Sequence, residues 1–247
     1  MELMSEANRA WHLIQDGDPI PAIEIYEHVL AHEPCLGYWN NFGIGLCEAG
    51  MFERAEAAFR TVRTLPDPIG FSSSNVGAAI WCQGRYSDAC EDWLAELNRV
   101  MSTKIKNQES SGIFIVCMLW WASQRLDQPE LWTKLQPMVK KVLKTRGQQY
   151  PFGLAIHSFV TGASDREQLL NDTVEGIYDP DTSYGLWNSR RLCQAWFYLA
   201  GKEEAGSPEW TRCLENVLQF GHRVGLGTAE YEVAKHELRR YPESSSL

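Results

Sequence analysis

Lysine is missing from the first hundred residues of this 247-residue chain; the first one is Lys104. Up to Met101 there are 15 Asp and Glu against 6 Arg, a balance of −9, whereas from Ser102 onward 17 acidic residues meet 17 basic ones. One half therefore carries the whole net charge of −9. Such a field repels nucleic acid and speeds encounter with basic partners.

Other absences narrow the field further. No apolar run reaches the roughly 18 residues that a membrane span needs; the longest, Ile113 to Ala122, suits a buried helix. The opening Met-Glu-Leu-Met-Ser-Glu has neither a basic cluster nor an apolar core, so no secretion signal is expected and the reading is cytoplasmic. The seven cysteines are scattered and never form C-x-x-C, which fits buried thiols in a reducing compartment rather than a disulfide framework. No segment alternates apolar and polar residues as a strand does, so the class is all-α.

Catalytic signatures are lacking too. No Ser-His-Asp, Cys-His or metalloprotease spacing emerges, so no enzyme, cofactor or metal is expected. His28 and His32 stand four apart on one helix face, but only Glu24 is near as a third ligand and the register turns that side to solvent. The glycine-rich stretch Gly221 to Gly227 follows no strand and reads as a helix connector, not a dinucleotide loop.

What the sequence does contain is a repeat. Gly17, Gly50 and Gly84 lie 33 and 34 residues apart. Gly50-Met-Phe52-Glu-Arg-Ala55-x3-Phe59 recurs as Gly84-Arg-Tyr86-Ser-Asp-Ala89-x3-Trp93, and as Gly17-Asp-Pro-Ile-Pro-Ala22-x3-Tyr26. Glycine ends one helix in a left-handed turn. The small alanine sits where two antiparallel helices meet, and the aromatic one turn later shares its buried face. Upstream, Trp39-x2-Phe42-Gly43-x2-Leu46 and Val76-Gly77-x2-Ile80 place a second glycine where the partner helix packs nearest.

These residues resemble the tetratricopeptide repeat family, over roughly residues 3 to 101. Ala10 stands in the glycine slot of the first repeat, and Pro66 and Pro68 flank the proline site of the second. The resemblance implies antiparallel helix pairs stacked into a right-handed superhelix with a concave face, residues 1–101 forming three repeats. Residues 102–247 are expected to extend them as degenerate helical repeats in one continuous unit. The later half is similar, through Tyr150-Pro151-Phe152, Ala195-Trp-Phe-Tyr-Leu199 and Tyr231-x2-Ala234-x2-Glu237-Leu238, to bacterial tetratricopeptide proteins that include peptidoglycan-associated lipoproteins and immunity proteins.

Helices are expected at 113–126, 131–144, 150–161, 165–174, 191–204, 209–220 and 229–239, with a long polar loop at Gly176 to Ser189. Lys134, Lys140, Lys141, Lys144 and Arg146 form a basic helix face, read as solvated or turned to the acidic half. Arg190 and Arg191 are a candidate anion site or, more simply, a helix start.

In the resembled family the first helix of each pair lines the inner face. Asn8, Asn41 and Asn75 recur there at spacings of 33 and 34, and Trp11, Ile44 and Ala78 follow three residues on, with Glu48 and Trp81 one turn further. Asparagine both donates and accepts, so such a ladder can grip a partner's backbone or bond between neighbouring repeats. The expected function is non-catalytic binding of a protein partner through an acidic concave face: an immunity-type protein neutralising a toxin or basic effector, or a scaffold or secretion chaperone holding an extended peptide.

Overall fold

The computed structural model describes residues 2–65, 74–102, 109–146, 151–174, 184–221 and 228–241. Thirteen helices are found among them: α1 (Glu2–Gln15), α2 (Pro19–His32), α3 (Leu36–Glu48), α4 (Phe52–Thr64), α5 (Asn75–Cys82), α6 (Tyr86–Ser102), α7 (Glu109–Arg125), α8 (Pro129–Arg146), α9 (Pro151–Val160), α10 (Arg166–Val174), α11 (Tyr184–Ala200), α12 (Pro208–Gly221) and α13 (Ala229–Arg240). Among the described residues the fold is all-α, a stack of helix pairs in which each helix from α1 to α8, and again from α9 to α13, packs on the next.

Each pair is set by one left-handed residue. Gly17, Gly50 and Gly84 have φ of 84°, 74° and 78°, which glycine reaches without a Cβ penalty. The same turn recurs at Gly162 and Gly206 with φ of 78° and 79°, and at Asp127 with φ 51°. Six helix pairs thus follow one another, although the repeat motif is legible only in the first three.

Pairing within a repeat works by ring into notch. A Cβ on Gly43 would fall 2.5 Å from the Phe59 ring, and one on Gly77 would overlap the Trp93 indole. Ala10 and Tyr26 hold the equivalent places in the first pair, both with no exposed surface. Arginines then fasten one repeat to the next. Arg54 on α4 pairs with Glu27 on α2 at 2.5 Å, and Arg85 reaches back to Glu56 at 2.9 Å. Arg63 on α4 grips both oxygens of Asp92 on α6, each at 2.8 Å.

Between α5, α6, α7 and α11 the core is a file of packed aromatics, stacked at its ends and edge-on between Trp81 and Trp121. Trp81 lies 5.9 Å from Trp93 and 5.1 Å from Trp121, which lies 4.6 Å from Phe197. Trp81, Trp93, Trp121 and Trp210 are fully buried, so much of the tryptophan content is core and not contact surface.

The expected loop at Gly176 to Ser189 is shorter than the sequence indicates. Residues 176–183 lie outside the described residues, but α11 begins at Tyr184 and takes in 184–189. Once the apolar part of a helix is nucleated, each polar residue added in front gains a backbone bond for one residue fixed. At the other end α11 stops at Ala200, four residues before the expected Glu204, where Gly201, Lys202 and Glu203 close tight backbone turns.

The last helix does not simply cap the stack. α13 folds back across the stack, where it touches α3, α4, α5, α6, α11 and α12. Thr228 caps it by accepting from the Tyr231 amide at 3.3 Å, with Glu230 and Glu232 in the first turn and Arg239 and Arg240 in the last, each matched to the helix dipole.

Candidate functional site

The expected partner-binding residues fall into two groups. Asn8 is exposed, and Trp11, Asn41 and Glu48 are half-buried. Ile44, Asn75, Ala78 and Trp81 are buried, because α13 covers that stretch of the concave face. The structure therefore leaves an open arm on α1 and α3 and a filled groove between α3 and α5.

In the filled groove, the contacts are polar as well as apolar. The Trp81 Nε1–H donates to Glu237 Oε1 at 2.9 Å. Lys235 Nζ donates to Glu48 Oε2 at 2.6 Å. Cys82 Sγ donates to the Glu232 carbonyl at 3.6 Å. His236 sits among the Phe52 and Tyr86 rings, and Arg240 lies 4.7 Å over the Tyr86 ring. On the far side Glu230 Oε1 accepts from Tyr198 at 2.9 Å and from Gln194 at 3.0 Å.

Three carboxyl side chains of α13, at Glu230, Glu232 and Glu237, are thus buried. Burial and the neighbouring Glu48 carboxylate push Glu232 up to about 8, so it is neutral in mildly acidic solution. The protonated Glu232 carboxyl shares a hydrogen bond with Glu48, which Lys235 also holds. The seam there, lined by Ile44, Cys47, Phe59, Asn75, Ala78 and Glu232, has no room for a water molecule.

On the open arm, Asn41 receives Asn40 Nδ2 at 3.5 Å and lies beside Tyr26 of the preceding repeat. The Tyr26 hydroxyl donates to the Ala7 carbonyl at 3.1 Å. The Asn40 Oδ1 is buried and unpartnered. Met4 on α1 and Ile20 on the adjoining α2 expose 57% and 49% of their surface. Residues 2–53 contain 9 acidic residues and a single Arg, so the negative charge of the first half is concentrated here. The five other arginines of that half are tied up in ion pairs, Arg54 with Glu27 of α2 and the rest with acids of α4 and α6.

The other sequence candidates have local roles. His28 Nδ1 lies 3.0 Å from Glu6 Oε2, and His32 Nδ1 lies 2.9 Å from the His28 carbonyl. Arg191 stacks 5.7 Å over the Phe152 ring. Lys134, Lys140 and Lys141 are exposed on α8. Burial pushes the Cys90 thiol to about 11 and the Cys213 thiol to about 12, and raises Cys47, Cys82, Cys117 and Cys193 as well, so none of these supplies a thiolate near neutrality. Among the described residues no group of three His, Cys, Asp or Glu is placed to hold a metal, and no helix is long and apolar enough to cross a membrane.

The sequence reading places a helix at α13 but misses that this helix occupies the groove. One signal was available: Glu230, Glu232 and Glu237 fall on different sides of a helix that also carries Tyr231, Val233 and Ala234. Such a helix has no wholly polar side to give to water.

No protein-family model and no curated protein sequence matches the chain. Among solved structures it is similar to the TPR2AB-domain–pHSP90 complex of yeast Sti1, with 16% identity, 99% of each chain covered and a TM-score of 0.36.

Proposed function

We propose that the chain is a protein-binding module, not an enzyme, and that its binding surface is the open arm of α1 and α3. The observation that carries this reading is half-buried Trp11 together with Asn8 and Asn41 in a stretch, residues 2–53, where 9 acidic residues meet one Arg. Wide aromatic surface anchors a partner, side-chain amides fix its backbone, and the acidic surround speeds its approach. The partner is a basic protein surface. In its finer form the reading is an immunity-type role, in which the acidic arm covers a surface that a toxic effector uses to meet an anionic substrate.

A second reading has its own support. The neighbouring stretch of groove already holds a helical segment, α13, which favours a scaffold or chaperone that takes segments rather than folded surfaces.

Affinity capture followed by binding measurements on the captured protein separates them. The immunity-type reading requires a tight complex whose association slows with added salt, and which weakens at least tenfold in the Trp11→Ala/Asn41→Ala variant. Protection of cells expressing the captured protein supports neutralisation. A short segment of the partner binding as tightly as the whole transfers the reading to scaffold or chaperone. Binding that ignores Trp11, Asn41 and salt together sinks both.

A further inference from the structure

The groove between α3 and α5 grips α13 through contacts of a kind that recognise a partner. Lys235 and Glu237 stand two apart on the helix and so point to different walls. Lys235 meets Glu48 on α3 at 2.6 Å, while Glu237 meets the Trp81 indole on α5 at 2.9 Å. We infer that this is a helix-binding groove and that α13 is its built-in, releasable occupant, with Glu48, Glu232 and Lys235 as the latch. The complementary partner is a helix that offers a cation to Glu48 and a carboxylate to Trp81.

Three observations carry this. A fixed core helix buries apolar side chains, yet α13 buries Glu230, Glu232 and Glu237 among its seven buried residues. Buried carboxyls contribute far less to holding a helix in place than hydrocarbon of the same volume does. The latch itself holds two carboxyls, Glu232 and Glu48, side by side where the seam beside Glu232 admits no water, an arrangement that loses its hydrogen bond once Glu232 ionises. Finally, the residues beneath α13 are those that the repeat register assigns to the inner face, Ile44, Asn75, Ala78 and Trp81.

Release has a built-in pH dependence. Glu232 is faced by Glu48 and Cys47 from α3, Cys82 from α5, Cys193 from α11, and Lys235 and Arg239 from its own helix. Its carboxyl gains a proton in the groove and loses it when α13 is released into water. Opening therefore becomes easier as pH rises from about 5 to about 8, by up to tenfold per pH unit, and levels off above.

The protein carries its own reporters. Cys47 and Cys82 lie under α13 beside Glu232, whereas Cys117 is fully buried in α7, near Glu230 at the far side of that helix, and Cys35 is half-exposed. The intact chain is labelled with N-ethylmaleimide between pH 6 and pH 8, and each cysteine is quantified by peptide mass spectrometry, with Cys35 correcting for intrinsic thiol reactivity. Cys47 and Cys82 are expected to react at least tenfold faster than Cys117, and increasingly so toward pH 8. Lys235→Ala raises their rates at least tenfold further and leaves Cys117 unchanged, while Glu232→Gln flattens their pH dependence. One common rate for Cys47, Cys82 and Cys117 means that α13 moves only when the whole protein unfolds, and overturns the inference. Faster labelling that ignores both variants overturns it equally. The groove inference extends the protein-binding reading, but labelling needs no partner, so either can fail without the other.

Discussion

The indole N–H of Trp81 and the carboxylate of Glu237 meet at 2.9 Å across 156 residues of sequence, with both side chains buried. This bond joins the third repeat to the last helix, and Arg240, 3.0 Å from the same Glu237 oxygen, braces it. Removing the carboxylate leaves a buried donor unsatisfied. Glu237→Ala is expected to cost about 2–4 kcal/mol of unfolding free energy in urea. Glu237→Gln keeps an acceptor for the indole and is expected to cost about 1 kcal/mol. Equal effects from the two variants would show that the indole bond contributes nothing.

Ring-into-notch packing gives a second expectation. Gly77→Ala places a methyl group inside the Trp93 indole, whose own Nε1–H is held at 2.9 Å by the Ser74 carbonyl and which therefore cannot swing away freely. The expected loss is about 1–3 kcal/mol by thermal or urea unfolding. Gly37→Ala is the control: a Cβ there meets nothing within 4 Å, and the helix gains about 0.5 kcal/mol from the better propensity.

How much of this was legible beforehand follows from the range of the forces involved. Gly43 with Phe59, and Gly77 with Trp93, are local pairs 16 residues apart, and their types and spacing alone reveal the helix hairpin. The boundaries of α12 and α13 were likewise readable from apolar periodicity, because Pro208 and Thr228 mark their starts. What periodicity cannot show is where a helix goes after the stack ends. Lys235 finds Glu48 at a separation of 187 residues, and nothing local to either residue names the other. The inner-face residues were thus identified by register, while their accessibility depended on a contact that only the tertiary fold makes. Asn8, Trp11 and Asn41 escape that cover.

Successive repeats are also held by charge. Arg63 makes a two-point contact with Asp92, and its own side chain keeps only 16% of its surface exposed. Arg63→Ala leaves Asp92, with 8% of its side chain exposed, to the looser Arg60 at 3.7 Å. The expected cost is about 2–3 kcal/mol. Arg63→Lys retains the charge but not the planar fork, so it should recover only part of that loss. Full recovery by lysine, measured by urea unfolding, would show that charge alone matters here.

The pH dependence of stability isolates Glu232. An acid whose folded pKa is raised holds its proton in the native state over a range where the unfolded chain has released it. For Glu232 that range runs from the ordinary value of 4.5 up to about 8. Its contribution is fully present below the lower limit and is lost as pH climbs through the upper one. Between those limits the wild type is expected to lose up to about 1.4 kcal/mol per pH unit relative to Glu232→Gln, which carries no titrating group there. Comparing urea midpoints of the two proteins from pH 5 to pH 8.5 cancels the contributions of all other groups. A constant difference across that span would mean that Glu232 is already ionised at pH 5, and that burial and Glu48 do not hold its proton.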